Sequence, residues 1–290
     1  MKVLMNAGYA PASARRRASR WALGALLCLS SGLAAAQSLP VQVSASGIHA
    51  GIVIGTPSAP LAEVSLDFQD ATGLSPASLG VSAQQISLTD PALLARLPSG
   101  SLTTLPATLP LLVTIEPPAT GGLSFRDTGR LEIHTHAIPY ALGSSFRVLK
   151  APLGGAFRDV TDEIAEGSVR ARTTYGGFSQ FLIVVDLRTS ATVIAEKIGW
   201  LQAKVGTLPL GERAAFNAYL ATAQSEVAAA YYNGALEAVE DFRARAQARS
   251  GQYLANEWRA TRDVDNQAGE LVAGANTLRF SIAYLRDFGQ

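Results

Sequence analysis

Proline is spread so unevenly along this chain that it divides the fold before any other feature is weighed. Twelve of the 14 prolines lie between Pro40 and Pro152, and after them only Pro209 remains. Proline has no backbone N–H to donate and clashes with the preceding helical turn. The first half must therefore be strands and turns, whereas the second is free to be helical.

The hydrophobic pattern agrees on both sides of that divide. Short runs rich in β-branched and apolar residues occur at 41–45, 62–68, 81–88, 111–115, 131–135, 145–149 and 167–173, separated by turn residues. The run 181–186 is apolar at successive positions, which predicts a central strand covered on both faces. Ser75-Pro76 and Asp90-Pro91 each set an N-cap residue before a proline at the first helical position. The second of these predicts a short turn of helix through Leu93, Leu94 and Leu97. Many short strands with frequent turns predict an antiparallel β-sandwich, or two small ones in series. A division would fall at 104–121, where Pro106, Pro110, Pro117 and Pro118 surround the run 111–115.

From about residue 191 the period changes. Ile194, Ile198, Leu201 and Val205 share one face of a helix, closed by Thr207-Leu208-Pro209. Phe216, Leu220, Ala223, Val227 and Tyr231 predict a second helix ended by Asn233-Gly234, and Ala235, Val239, Phe242 and Ala246 a third ended by Ser250-Gly251. Leu254 and Trp258, then Leu271, Ala275, Leu278, Ile282 and Leu285, predict one long helix or two shorter ones. Short links predict antiparallel neighbours, hence a three- or four-helix bundle. The expected fold is α+β and multidomain, a β-sandwich region over 37–190 followed by a helical bundle over 191–290.

Residues 1–36 read as a secretory signal peptide. Arg15-Arg16-Arg17 and Arg20 form a basic block, 21–29 an apolar run, and Ala34 and Ala36 a small-residue cleavage pattern. The apolar run is shorter than the roughly 20 residues a bilayer requires. Cleavage after Ala36 removes the single cysteine, Cys28, so disulfides and cysteine metal sites are not expected in the mature chain. It also removes Lys2, Arg15, Arg16, Arg17 and Arg20 without any acid, taking the net charge from +1 to −4. Such a chain lacks the Lys/Arg footprint that nucleic acid requires. No later stretch is long and apolar enough to span a membrane, so the expected partner is a protein or glycan met in the periplasm or outside the cell.

Two segments resemble known modules. Residues 131–135, then Phe146-Arg147-Val148-Leu149, Gly155-Ala156-Phe157-Arg158-Asp159-Val160-Thr161 and the run from Gly177 to Val184, give the stretch Gly122 to Asp186 a layout. It resembles the spectrin-binding type of β-sandwich shared by ankyrins and netrin receptors. Asn233-Gly234-Ala235, Val239, Phe242 and Ser250-Gly251 give the stretch Ile194 to Leu285 a turn-helix-turn rhythm. It resembles the small helical module named for a Phe-Ile-Met-Ala-His string, found at the C-termini of exported bacterial proteins. Together the two resemble an exported proteobacterial protein with an accessory helical domain, and neither likeness implies a catalytic residue.

Candidate chemistry is sparse. His134 and His136, two apart on a strand, point to one face and are the candidate metal ligands, with Glu132 or His49 as the third ligand that zinc would want. The acidic run 159–163 offers oxygens either to calcium or to turns and caps, and Asp67 and Asp70 form a possible carboxylate pair. The glycine pairs 121–122, 154–155 and 176–177 read as hinges of hairpins. Neither a nucleophile elbow nor a phosphate loop occurs, and no cofactor is expected. Trp200, Phe216, Tyr219, Tyr231, Tyr232, Phe242 and Trp258 read as helix core or as a sugar groove. Adjacent helix positions cannot both face inward, so Tyr231 and Tyr232 are the candidate ligand-binding residues. The expected function is that of a non-catalytic exported binding or structural protein. The alternatives are a subunit of an envelope or surface assembly, joined through exposed strand edges, and a metal-assisted exported hydrolase using His134 and His136.

Overall fold

The computed structural model describes residues 37–289. The signal-peptide reading of residues 1–36, with Cys28, lies outside the described residues. The first half contains β1 (Gln37–Ser38), β2 (Val41–Val43), β3 (His49–Thr56), β4 (Ala59–Thr72), α1 (Pro76–Leu79), β5 (Val81–Gln85), α2 (Pro91–Leu94), β6 (Thr103–Thr104) and β7 (Leu111–Ile115). It continues with β8 (Ser124–Thr135), β9 (Phe146–Ala151), β10 (Arg158–Asp159), β11 (Glu163–Ala165), β12 (Val169–Tyr175) and β13 (Gln180–Asp186). Helices α3 (Ser190–Val205), α4 (Leu210–Ala228) and α5 (Tyr232–Arg249) follow, then β14 (Glu257–Arg259) and α6 (Gln267–Phe288).

The strands form two antiparallel sheets. Sheet one has the order β1-β5-β7-β13-β9-β10, with β6 extending the β7 side of β13; sheet two has the order β11-β12-β8-β4-β3-β2, with β14 on β8. The proline-rich stretch 104–121 holds β7, paired inside sheet one between β5 and β13. Alternation builds the core between the sheets: Ala62, Val64, Leu66 and Phe68 of β4 point inward, while Glu63 and Asp67 lie on the exposed side. β13 is covered on both faces. Phe181 and Ile183 enter the core between the sheets, while Leu182 and Val184 meet a second cluster with Leu93, Leu97, Leu105 and Phe157. Ser75 caps α1 in a reciprocal capping box, and the Asp90 carboxylate caps α2.

The helical region has its own core, in which Ile194, Leu201, Phe216, Leu220, Phe242, Leu271, Leu278 and Ile282 pack together. Among the described residues no helix is long and apolar enough to cross a membrane. Two helical expectations need correction. Residues 257–259 form strand β14 rather than helix, and Trp258 leaves the helices for the sandwich core, stacking on Phe125 at 5.3 Å between ring centroids. Asn233-Gly234 does not end a helix but lies in the first turn of α5. The break comes earlier, where Ala230 takes a left-handed φ of 57°. Glycine is needed at 234, because a Cβ there would strike the Tyr231 ring at 2.5 Å.

Candidate functional site

A cleft of about 770 Å³ opens where the sheets meet the helices. β9 contributes Lys150 and β10 contributes Arg158. Trp200 and Lys204 come from α3, four residues apart and so on one helix face. Trp258 enters from β14, and Glu270 from the first turn of α6, where the helix dipole favours an acid.

The connection between β12 and β13 brings Gly176 and Gly177 against the start of α6. A Cβ on Gly176 would meet the Glu270 backbone nitrogen at 2.5 Å, and one on Gly177 would meet the Trp258 ring at 2.9 Å. Neither glycine has a positive φ, unlike Gly122 and Gly154 of the other two pairs. The pair 176–177 is therefore not a hinge; its glycines are needed because the helix and an indole pack directly on the backbone. Asn266 locks the junction. Its Oδ1 accepts from Gly269 N at 2.9 Å, while its Nδ2 donates to Asp127 O at 2.6 Å and Gly176 O at 3.1 Å.

The charges of the cleft gather around one acid. Three cations converge on the Glu270 carboxylate: Lys204 Nζ at 3.5 Å, Lys150 Nζ at 3.6 Å and an Arg158 nitrogen at 4.0 Å. Burial alone would raise the Glu270 carboxyl, but Lys150, Arg158 and Lys204 outweigh it and bring it down to about 2. Burial lowers Lys150 to about 8, opposed by Glu270 and helped by Arg158 and Lys204. Arg158 lies over the Trp200 ring at 3.8 Å and Arg262 over the Trp258 ring at 4.3 Å, so each guanidinium is backed by an indole face. Arg262 also pairs with Glu116 at 2.6 Å on the same cleft wall. With Asp265 also on the lining, the cleft holds four bases against three acids, and two of the bases rest on indole faces.

The residues singled out from sequence lie elsewhere. His134 in β8 and His136 in the bend just past its end come together, ring centroids 4.7 Å apart. His134 Nδ1 lies 3.2 Å from Glu63, and His136 Nδ1 lies 2.7 Å from Ser168 Oγ. The proposed third ligands are engaged otherwise: Glu132 pairs with Arg170 at 2.6 Å and Arg172 at 2.5 Å, and His49 with Asp67 at 2.7 Å. Among the described residues, no three or more His, Cys, Asp or Glu side chains are grouped to hold a metal ion. Asp70 faces Arg126 at 3.8 Å while Asp67 is held by His49, so the two acids have separate partners. Tyr231 is exposed with its ring against Gly234, and Tyr232 packs partly into the helical core; neither lines the cleft. Of the helical-half aromatics, Trp200 and Trp258 do reach it, whereas Phe216 and Phe242 pack on each other in the core.

The acidic run 159–163 disperses as well. Asp159 binds Lys197 and Thr161, Glu163 pairs with Arg130 and Arg172, and Asp162 accepts from Thr174 N. Asp162 Oδ1 is buried without a hydrogen-bond partner. Burial pushes this carboxyl up to about 7, against the hydrogen bonds from Thr174. Its native state prefers the protonated form, so its contribution to stability is complete below the unfolded value near ~3.9 and is lost as pH rises through about 7. Asp162→Asn, which cannot ionise, is therefore expected to exceed the parent in thermal midpoint at pH 8, with the advantage fading toward pH 5. An advantage independent of pH across that window would show that Asp162 does not titrate there.

The cleft residues escaped sequence reading because Lys150 and Glu270 stand 120 positions apart in no motif. The doublet 176–177 was the available signal, as paired glycines mark close backbone approach as well as turns. A profile of a protein family of unknown function matches residues 24–286, which takes in both sheets and nearly all of the helical region. No curated protein matches the chain.

Proposed function

The chain belongs to DUF6689, a family of unknown function, and on that footing we propose a role drawn from the cleft itself. It is a non-catalytic binding protein that holds a small organic anion between the sandwich and the helices. The observation that carries this reading is the convergence of Lys150, Arg158 and Lys204 on one carboxylate, Glu270. Across the whole lining, Lys150, Arg158, Lys204 and Arg262 stand against Glu116, Asp265 and Glu270, a surplus of one positive charge facing an open cleft. A cation cluster serving the fold alone would be matched by acids, because unpaired buried charge is costly. The indoles of Trp200 and Trp258 back the guanidiniums of Arg158 and Arg262 and so fix where these cations sit on the lining. The basic, apolar and small-residue order of residues 1–36 supports placing the binding outside the cytoplasm.

Calorimetric titration of residues 37–290 with acetate, oxalate, citrate, phosphate and uncharged glucose tests the reading. Saturable binding of at least one carboxylate or phosphate is expected, weakening with added salt, with none for glucose. Lys204→Glu is expected to weaken it at least ~10-fold, about 1.4 kcal/mol. Failure of every anion, or binding indifferent to Lys204→Glu, overturns it.

A further inference from the structure

We propose that Lys150 is a carbonyl-capturing residue, forming a reversible imine with a small keto or aldehydo carboxylate seated in the cleft. This rests on the anion-binding reading and adds the functional group the ligand carries. The geometry has three parts. The Lys150 amine lines the open cleft yet is held in place, donating to Gly177 O at 2.5 Å and lying 3.6 Å from Glu270. Lys204 and Arg158 sit around the same carboxylate, within reach of a second carboxylate on the ligand. Phe157, Trp200 and Trp258 line the same cleft, and apolar walls favour a neutral amine over an ammonium.

Protonation agrees with the geometry. With burial bringing Lys150 down to about 8, a far larger share of molecules carries the free amine near neutral pH than for an ordinary lysine. A lysine desolvated beside other cations is a recognised nucleophile toward carbonyls. The nitrogen lone pair attacks the carbonyl carbon, a C–N bond forms as the C=O π bond breaks, and one proton passes from nitrogen to oxygen to give a carbinolamine. The hydroxyl takes up a proton from solvent and leaves as water, and release of the remaining N–H proton to solvent restores that proton and leaves the imine. The net change is amine plus carbonyl giving imine plus water, with no oxidation. Glu270, held near 2, stays ionised and orients the cations rather than supplying protons.

The other lysines differ. Lys197 is buried against Asp159, Thr277 and Ser281, and Lys204 is far more exposed than Lys150. Residues 37–290 contain only these three lysines, which makes the experiment clean. The protein is incubated with glyoxylate and cyanoborohydride at pH 7.5, and the carboxymethyl adduct is located by peptide mass spectrometry. Label is expected on Lys150 at least ~10-fold faster than on Lys204 or the N-terminus, slowed by oxalate, with Lys150→Arg losing that adduct. Label following exposure, with Lys150 spared, overturns the proposal. Oxalate binding by calorimetry without Lys150 label removes the imine and leaves the anion site standing; neither binding nor label removes both.

Discussion

Replacing Lys197 by methionine is expected to destabilise the protein by about 3–5 kcal/mol, the usual consequence of leaving a buried charge without its partner. Lys197 extends from α3 to Asp159 on β10, Nζ to Oδ2 at 3.0 Å, and also donates to Thr277 O at 3.0 Å and Ser281 Oγ at 2.8 Å on α6. Both side chains are almost wholly removed from water, 6% exposed for the lysine and 2% for the aspartate. Burial raises the Asp159 carboxyl, but Lys197, Arg147 and the Thr161 hydrogen bonds outweigh it and hold it below the usual range. Its stabilisation is present above the unfolded carboxylate value and is lost as pH falls through the lower folded one. In the variant that loss is expected to begin at higher pH. Urea unfolding followed by far-ultraviolet circular dichroism reads both effects. Changing the pair together, Lys197→Met with Asp159→Leu, is expected to recover most of the loss, because an apolar pair leaves no orphan charge. A single-variant cost under ~1 kcal/mol would mean that the ion pair is solvated.

Trp258→Ala is the second large effect, about 3–5 kcal/mol, and it bears on how the chain is divided. β14 returns from the helical region to pair with the first residues of β8, the Asp127 N–H donates to Asn256 O at 2.7 Å, and Trp258 enters the sandwich core. There its indole stacks on Phe125 and meets Phe178 edge-on at 4.9 Å. Deleting it opens a cavity in the sheets while loosening the link that precedes α6. Sheets and helices are therefore expected to unfold in one transition, with near- and far-ultraviolet signals coincident in the parent and shifted together in Trp258→Ala. Helices that persist after the sheets have melted would show that β14 does not couple them.

Much of this architecture was legible residue by residue. Alternation at 62–68 set the inward and outward faces of β4, the doubly apolar run at 181–186 marked the covered centre of sheet one, and Ser75 and Asp90 announced their helices. The 4-3-4 spacing from Ile194 to Val205 gave α3 and its buried face. β14 was not legible, because Glu-Trp-Arg is too short to have a period and its pairing partner lies more than 130 positions earlier. The start of α5 was misread because the break falls on Ala230, an alanine in a conformation that sequence habit assigns to glycine.

The candidate site divides the same way. Sequence placed His134 and His136 on one strand face; only His134 is in the strand, with His136 in the bend after it, though their rings do meet. It could not find the ligands that a metal would need, nor the cleft. By itself the sequence determined where strands give way to helices, since proline and hydrophobic period act over a few residues. Only the tertiary structure decided which charges converge. Lys150, Arg158, Lys204 and Glu270 come from two strands and two helices, and each alone would read as an ordinary solvated side chain. Packing the helices onto the sheets gathers them around one acid, and the burial of Lys150 and Glu270 makes that carboxylate among three cations chemically different from four charges in water.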